Sequence, residues 1–181
     1  MFIALRDTSG ASLGMISVGL GWDPAETSWD AGEFGEIDLN VAALMFSVDV
    51  LVDVVFHEQL NSADGAVRHN GDSITGEGRG DDEVVTVDLT RISPQVTKVL
   101  FLVTCYTGQL FSSIGNPFCR LIDSGSGVEM LRYDLSGLPH TGLVMGSLVR
   151  DEVGWGFEEI NSAIEARHPV DAAPLLGQFL V

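Results

Sequence analysis

Positive charge is what this chain has least of. Nine lysines and arginines stand against 26 aspartates and glutamates, a formal charge of −17. Such a surface repels phosphate backbones and anionic lipid, which argues against nucleic acid and membrane surfaces as partners. Cations are its natural counter-ligands, provided the acids cluster. Charged residues make up only 19% of the chain and hydrophobic ones 45%, a balance that opposes disorder. A length of 181 residues fits one domain with a sizeable core.

Other absences narrow the reading further. The two cysteines, Cys105 and Cys119, are too few for a disulfide framework and sit in apolar runs, so buried free thiols in a reducing cytosol are expected. The apolar run within 1–7 is too short for a signal peptide, and no stretch reaches the ~20 apolar residues of a membrane helix. The expected location is therefore cytoplasmic, without membrane embedding. No G-x-S-x-G elbow is present, and no lysine follows the glycines to make a phosphate-cradling loop. His57, His69, His140 and His168 lack metal-ligand spacing and read as packed or surface residues. Trp22, Trp29 and Trp155 read as core or rim aromatics rather than a sugar platform. These features favour a protein that is not an enzyme.

What remains is a pattern of short apolar runs between turn residues. Strands are expected at 15–20, 38–46, 51–56 and 84–89, and 99–103 is apolar throughout, as in a central strand covered on both faces. Ala42, Leu44 and Phe46 share one strand face, and Val85, Val87 and Leu89 another. Residues 118–122 and 130–135 flank a turn at 123–127 as a hairpin, as do 143–149 and 155–160 around 151–154. The segment 160–167 reads as a short helix or a last strand. The tail 171–180, with Pro174 in its first turn, reads as a helix. The expected fold is an all-β antiparallel sandwich of two sheets with one or two short helices near the C-terminus.

The unusual segment is Gly71-Asp72-Ser73-Ile74-Thr75-Gly76-Glu77-Gly78-Arg79-Gly80-Asp81-Asp82-Glu83. Its glycines permit tight curvature that can turn carbonyls inward beside carboxylates. Calcium takes six to eight oxygens, and carboxylates, amides and backbone carbonyls all qualify. Without a counter-ion, neighbouring carboxylates at ~4 Å repel by about 1–4 kcal/mol per pair. Further oxygen donors lie at other loop edges: Asp23, and Asp38 with Asn40. An EF-hand is excluded because Ile74 falls where the alternate ligand would be.

This segment resembles the TerD-family signature GDNxTGxGxGDDE. Val18-Gly19-Leu20-Gly21-Trp22-Asp23 resembles the family's VGLGWD, and Ile37-Asp38-Leu39-Asn40 its FDLD. Residues 53–65 track DFVFYNxLxSxDG, 118–123 parallel AFIRLVD, and 131–135 match ARYDL. The resemblance runs in order from about Met15 to Ile164. It implies an antiparallel β-sandwich that binds calcium in tellurite resistance and other stress responses, acting non-enzymatically through protein partners, other family members among them. Position by position it implies Asp23, Asp38, Asn40, Asp72, Asp81, Asp82 and Glu83 as ligands for two calcium ions, with backbone carbonyls around 74–78 completing the shells.

The chain departs from the pattern at Asn40, which stands for an aspartate, at Ser73, which stands for an asparagine, and at His57-Glu58, which replaces Tyr-Asn. A competing expectation is a small-molecule hydrolase or nucleotide binder using the same acids. It requires a deep pocket and a carboxyl with a raised pKa. A third is a subunit of a structural assembly.

Overall fold

A computed structural model describes residues 1–25, 36–73, 76–78 and 80–181. Among the described residues, eleven strands form two antiparallel sheets. In chain order they are β1 (Phe2–Ala4), β2 (Met15–Gly21), β3 (Leu39–Ser47), β4 (Val50–Val55), β5 (Val67–His69) and β6 (Glu83–Asp88). The rest are β7 (Lys98–Cys105), β8 (Phe118–Asp123), β9 (Glu129–Asp134), β10 (Gly142–Arg150) and β11 (Trp155–Ile164). A six-stranded sheet runs β1-β11-β10-β7-β3-β4, and a five-stranded sheet runs β5-β6-β2-β8-β9.

The alternation in the strands sorts each side chain to a face. Val41, Ala43 and Met45 of β3, with Val99, Phe101 and Val103 of β7, face inward. They meet Ile16, Val18 and Leu20 of β2 and Val85 and Val87 of β6. Ala42, Leu44 and Phe46 point to the opposite face of the six-stranded sheet, where Leu100, Leu102 and Val144 join them in a second apolar cluster. That is why 99–103 is apolar at every position: both faces are covered.

The cover on the outer face is the C-terminal tail. A short helix, α1 (Pro169–Ala172), runs into a 3-10 helix over Ala173–Phe179. Ala172 and Leu176 bury into the outer cluster, and Lys98 Nζ donates to Phe179 O at 2.9 Å. The helical expectation for the tail holds, although most of it is 3-10. The ambiguous segment after 160 resolves as strand up to Ile164, paired with β10. The strand β1 lies outside the expected set; its register with Gly156–Glu158 depends on a distant partner that its three residues do not announce.

Cys105 and Cys119 are buried and free, as expected. Trp22 and Trp155 are buried core residues, whereas Trp29 lies outside the described residues. No helix among the described residues is long and apolar enough to cross a membrane.

Candidate metal centre

The acidic residues come together at one end of the sandwich, where β3 begins and β6 begins. Asp38 is the residue before β3. Its N–H is bonded to Thr107 Oγ1 at 3.1 Å, and its carbonyl accepts from Tyr106 N–H at 2.9 Å. Two residues on, Asn40 is buried, and its Nδ2 donates to Asp38 Oδ1 at 3.0 Å. Its Oδ1 is buried without a hydrogen-bond partner among the described residues.

Glu83 opens β6 and is only 1% exposed. Its Oε2 accepts from Val41 N–H at 3.1 Å, and its Oε1 accepts from Ser73 N–H at 3.3 Å. His69 stands beside it with Nε2 at 3.2 Å from Oε2. The His69 Nδ1 accepts from Gly71 N–H at 3.2 Å, which leaves the ring proton on Nε2, pointing at Glu83. Asp72, exposed in the loop between β5 and β6, completes the group. One oxygen each from Asp38, Asp72 and Glu83 lie within 4.8 Å of one another.

This crowding shifts the titrations. Burial, then hydrogen bonding to Asp72 and its charge, pushes Glu83 up to about 10. Burial and the Asp72 charge push Asp38 up to about 6. Burial holds His69 below its ordinary range, with His57 pressing the same way. Burial and the neighbouring Asp72 thus favour the protonated form of the Glu83 carboxyl.

A second group lies at the β2 end of the same loop. Asp82 Oδ2 accepts from Trp22 N–H at 2.8 Å, and Asp23 Oδ2 accepts from Asn116 Nδ2 at 2.6 Å. Burial raises the Asp82 pKa, and the charges of Asp81 and Asp23 add to the rise. Asp81 is engaged elsewhere. Arg120 donates from Nε to Oδ1 at 2.9 Å and from Nη2 to Oδ2 at 2.8 Å, a bidentate pair. Gly19 makes room for that pair, since a Cβ there would fall within 2.6 Å of all three Asp81 carboxyl atoms. Gly76, at φ +70°, lies against the Trp22 indole, which a Cβ would overlap. Gly76 thus seats the loop against Trp22, next to the end of β2.

Comparison with known proteins settles the family. A TerD domain model matches residues 3–167. The chain belongs to the TerD family. The tellurium resistance protein TerZ of Serratia marcescens is 39% identical over 171 residues, covering 91% of this chain and 88% of its own length. General stress protein 16U of Bacillus subtilis (strain 168) is 32% identical, covering 84% and 82%. The solved structure of a TerD homologue, SCO6318 from Streptomyces coelicolor A3(2), superposes with a TM-score of 0.79 over 92% of this chain and 98% of that one, at 24% identity. That likeness shows the shared fold.

Of the ligand positions implied by the TerD resemblance, the structure joins Asp38, Asn40, Asp72 and Glu83, and sets Asp23 and Asp82 in a second group. It places Asp81 on Arg120. Ile74 and Thr75, expected to offer backbone carbonyls, lie outside the described residues. The sequence reads His69 only as a packed or surface histidine, and its hold on Glu83 was missed. The signal available was register: His69 pairs with Val85, two residues from Glu83 on the neighbouring strand.

Proposed function

We propose that this TerD-family chain binds calcium, with Asp38, Asn40, Asp72 and Glu83 holding one ion and Asp23 and Asp82 contributing to a second. The observation that carries the reading is the Asn40 Oδ1, a buried acceptor without a partner, on a side chain bonded to one of three mutually repelling carboxyls. A buried polar atom left unpaired costs roughly 1–3 kcal/mol, and a cation that accepts it repays the site. The donor set is all oxygen, which suits a hard cation. Bound calcium would supply positive charge in place of the proton that the buried Glu83 carboxyl favours. By analogy with relatives named for tellurium resistance and general stress, the chain acts in a stress response, without catalysis, through calcium-dependent partner contacts in the cytoplasm.

Calorimetric titration with calcium, and melting in chelator against millimolar calcium, test this. Binding at a hundredfold excess over the dissociation constant stabilises by about 2.7 kcal/mol. Asp72→Asn is expected to abolish most of the gain, and Asp151→Asn, in the β10–β11 turn, to leave it. An unmoved melting curve with no heat of binding sinks the reading.

The raised Asp38 and Glu83 carboxyls also satisfy one requirement of the hydrolase alternative. That reading predicts hydrolysis of a phosphate ester or a glycosidic bond by the metal-free chain, lost in Glu83→Gln. Calcium-dependent stabilisation without turnover favours the binding protein.

A further inference from the structure

A second cluster of a different chemistry lies close to the acidic centre. One ring nitrogen each of His57 and His168 and a carboxylate oxygen of Glu58 lie within 4.8 Å of one another. His57 and Glu58 follow β4. His168 caps α1, just past the region that matches the family model. Sequence spacing gave no hint of this cluster, because 111 positions of chain separate two rings whose centroids stand 5.6 Å apart at 89°.

We propose that His57, Glu58 and His168 form a site for zinc. Two imidazoles beside one carboxylate make a mixed nitrogen–oxygen donor set, which suits a borderline ion better than calcium, whose ligands are oxygens. Ligands bonded at about 2.0–2.2 Å to a tetrahedral ion sit roughly 3.3–3.6 Å from each other. His168 Nε2 and Glu58 Oε2 stand 3.5 Å apart, one such edge. His57 Nδ1 is buried and has no hydrogen-bond partner among the described residues, so the cluster contains a nitrogen whose pairing the protein leaves unmade. The rings are already held. Phe56 packs edge-on against both histidines at 5.2 and 5.5 Å, and Tyr106 does so at 6.3 and 6.4 Å. Binding at His168 Nε2 carries one exchange: the ring proton moves to Nδ1, which now accepts from Val170 N–H at 3.2 Å, and that cap bond is given up for the metal bond. The ion would fasten the start of the C-terminal cover to the end of the edge strand β4.

The test is a zinc titration of the full chain in excess calcium, followed by calorimetry, and repeated with cobalt(II), whose visible absorption is strong in tetrahedral nitrogen–oxygen sites. Three variants are compared. His57→Phe keeps an aromatic ring, His168→Asn keeps a helix cap, and Glu58→Gln alters an exposed side chain that the fold does not need. Each is expected to weaken zinc by at least about tenfold and to remove the cobalt bands. Asp72→Asn is expected to leave both intact. Should the ring variants fail to fold, Glu58→Gln carries the test alone. Equal zinc affinity in the wild type and in Glu58→Gln overturns the proposal. So does a loss of zinc caused by Asp72→Asn rather than by the three, which would put the ion in the acidic centre.

Discussion

His69 and Glu83 meet at 3.2 Å with both side chains fully buried, in a setting that favours a neutral hydrogen bond over an ion pair. Burial lowers the His69 pKa and raises that of Glu83, so both shifts oppose the charged pair. The geometry agrees, because the His69 Nδ1 is occupied as an acceptor and only one ring proton is needed. The histidine therefore acts as a fixed donor that orients a carboxyl.

His69→Ala removes that donor and leaves a hole at a buried strand position. The expected cost is about 1–3 kcal/mol of stability, read from denaturant melts, with calcium affinity also reduced. His69→Gln, which can still donate, is expected to recover part of both. If alanine and glutamine behave alike, the hydrogen bond is not what matters.

The titrations predict opposite pH trends for stability and for calcium. Asp38 and Glu83 bind protons more tightly in the folded chain than in the unfolded one, so unfolding releases protons. Metal-free stability is thus expected to fall as pH rises above about 4, through the Asp38 value of about 6. Calcium must displace those protons, so its affinity is expected to rise over the same range. Titration in two buffers of different ionisation enthalpy reads the released protons directly. Equal heats in both would contradict the coupling.

Gly19 and Asp81 offer a control on which acids serve the ion. Gly19→Ala puts a methyl into the Asp81 carboxylate and is expected to destabilise by about 1–3 kcal/mol. Asp81→Asn breaks the bidentate grip of Arg120 and lowers stability, while calcium affinity is expected to move far less than in Asp72→Asn. A larger calcium effect from Asp81→Asn would return it to the ligand set.

Leu176 tests the tail. It is fully buried in the cluster on the outer face of the six-stranded sheet. Leu176→Ala is expected to cost about 2–5 kcal/mol by chemical melting. A loss below about 0.5 kcal/mol would mean that the tail is not a structural cover.

Much of this was legible because strand burial is written with a period of two. Val85 and Val87 alternate with half-exposed partners, and the all-apolar run of β7 announced its two covered faces. The acidic glycine loop was legible as chemistry, since its residue types are few and clustered. What could not be read were meetings between distant segments. Nothing near Asp81 says that Arg120, on a strand two places away in the sheet, takes both its oxygens. Nothing in His57 points to His168. The brief β1 carries too little periodicity to be seen before its partner β11 is in place.

The acidic centre has one further consequence, which follows from sheet membership. Asp38 and Asn40 belong to the β3 side, in the six-stranded layer, whereas Asp72 and Glu83 belong to the β5–β6 side, in the other. Even without an ion, the Glu83 carboxyl is stitched to Val41 N–H across that divide. An ion held there is a clasp between two leaves. If an ion binds there, it ties the two leaves together at that end, beside the bond from Val41 N–H to Glu83.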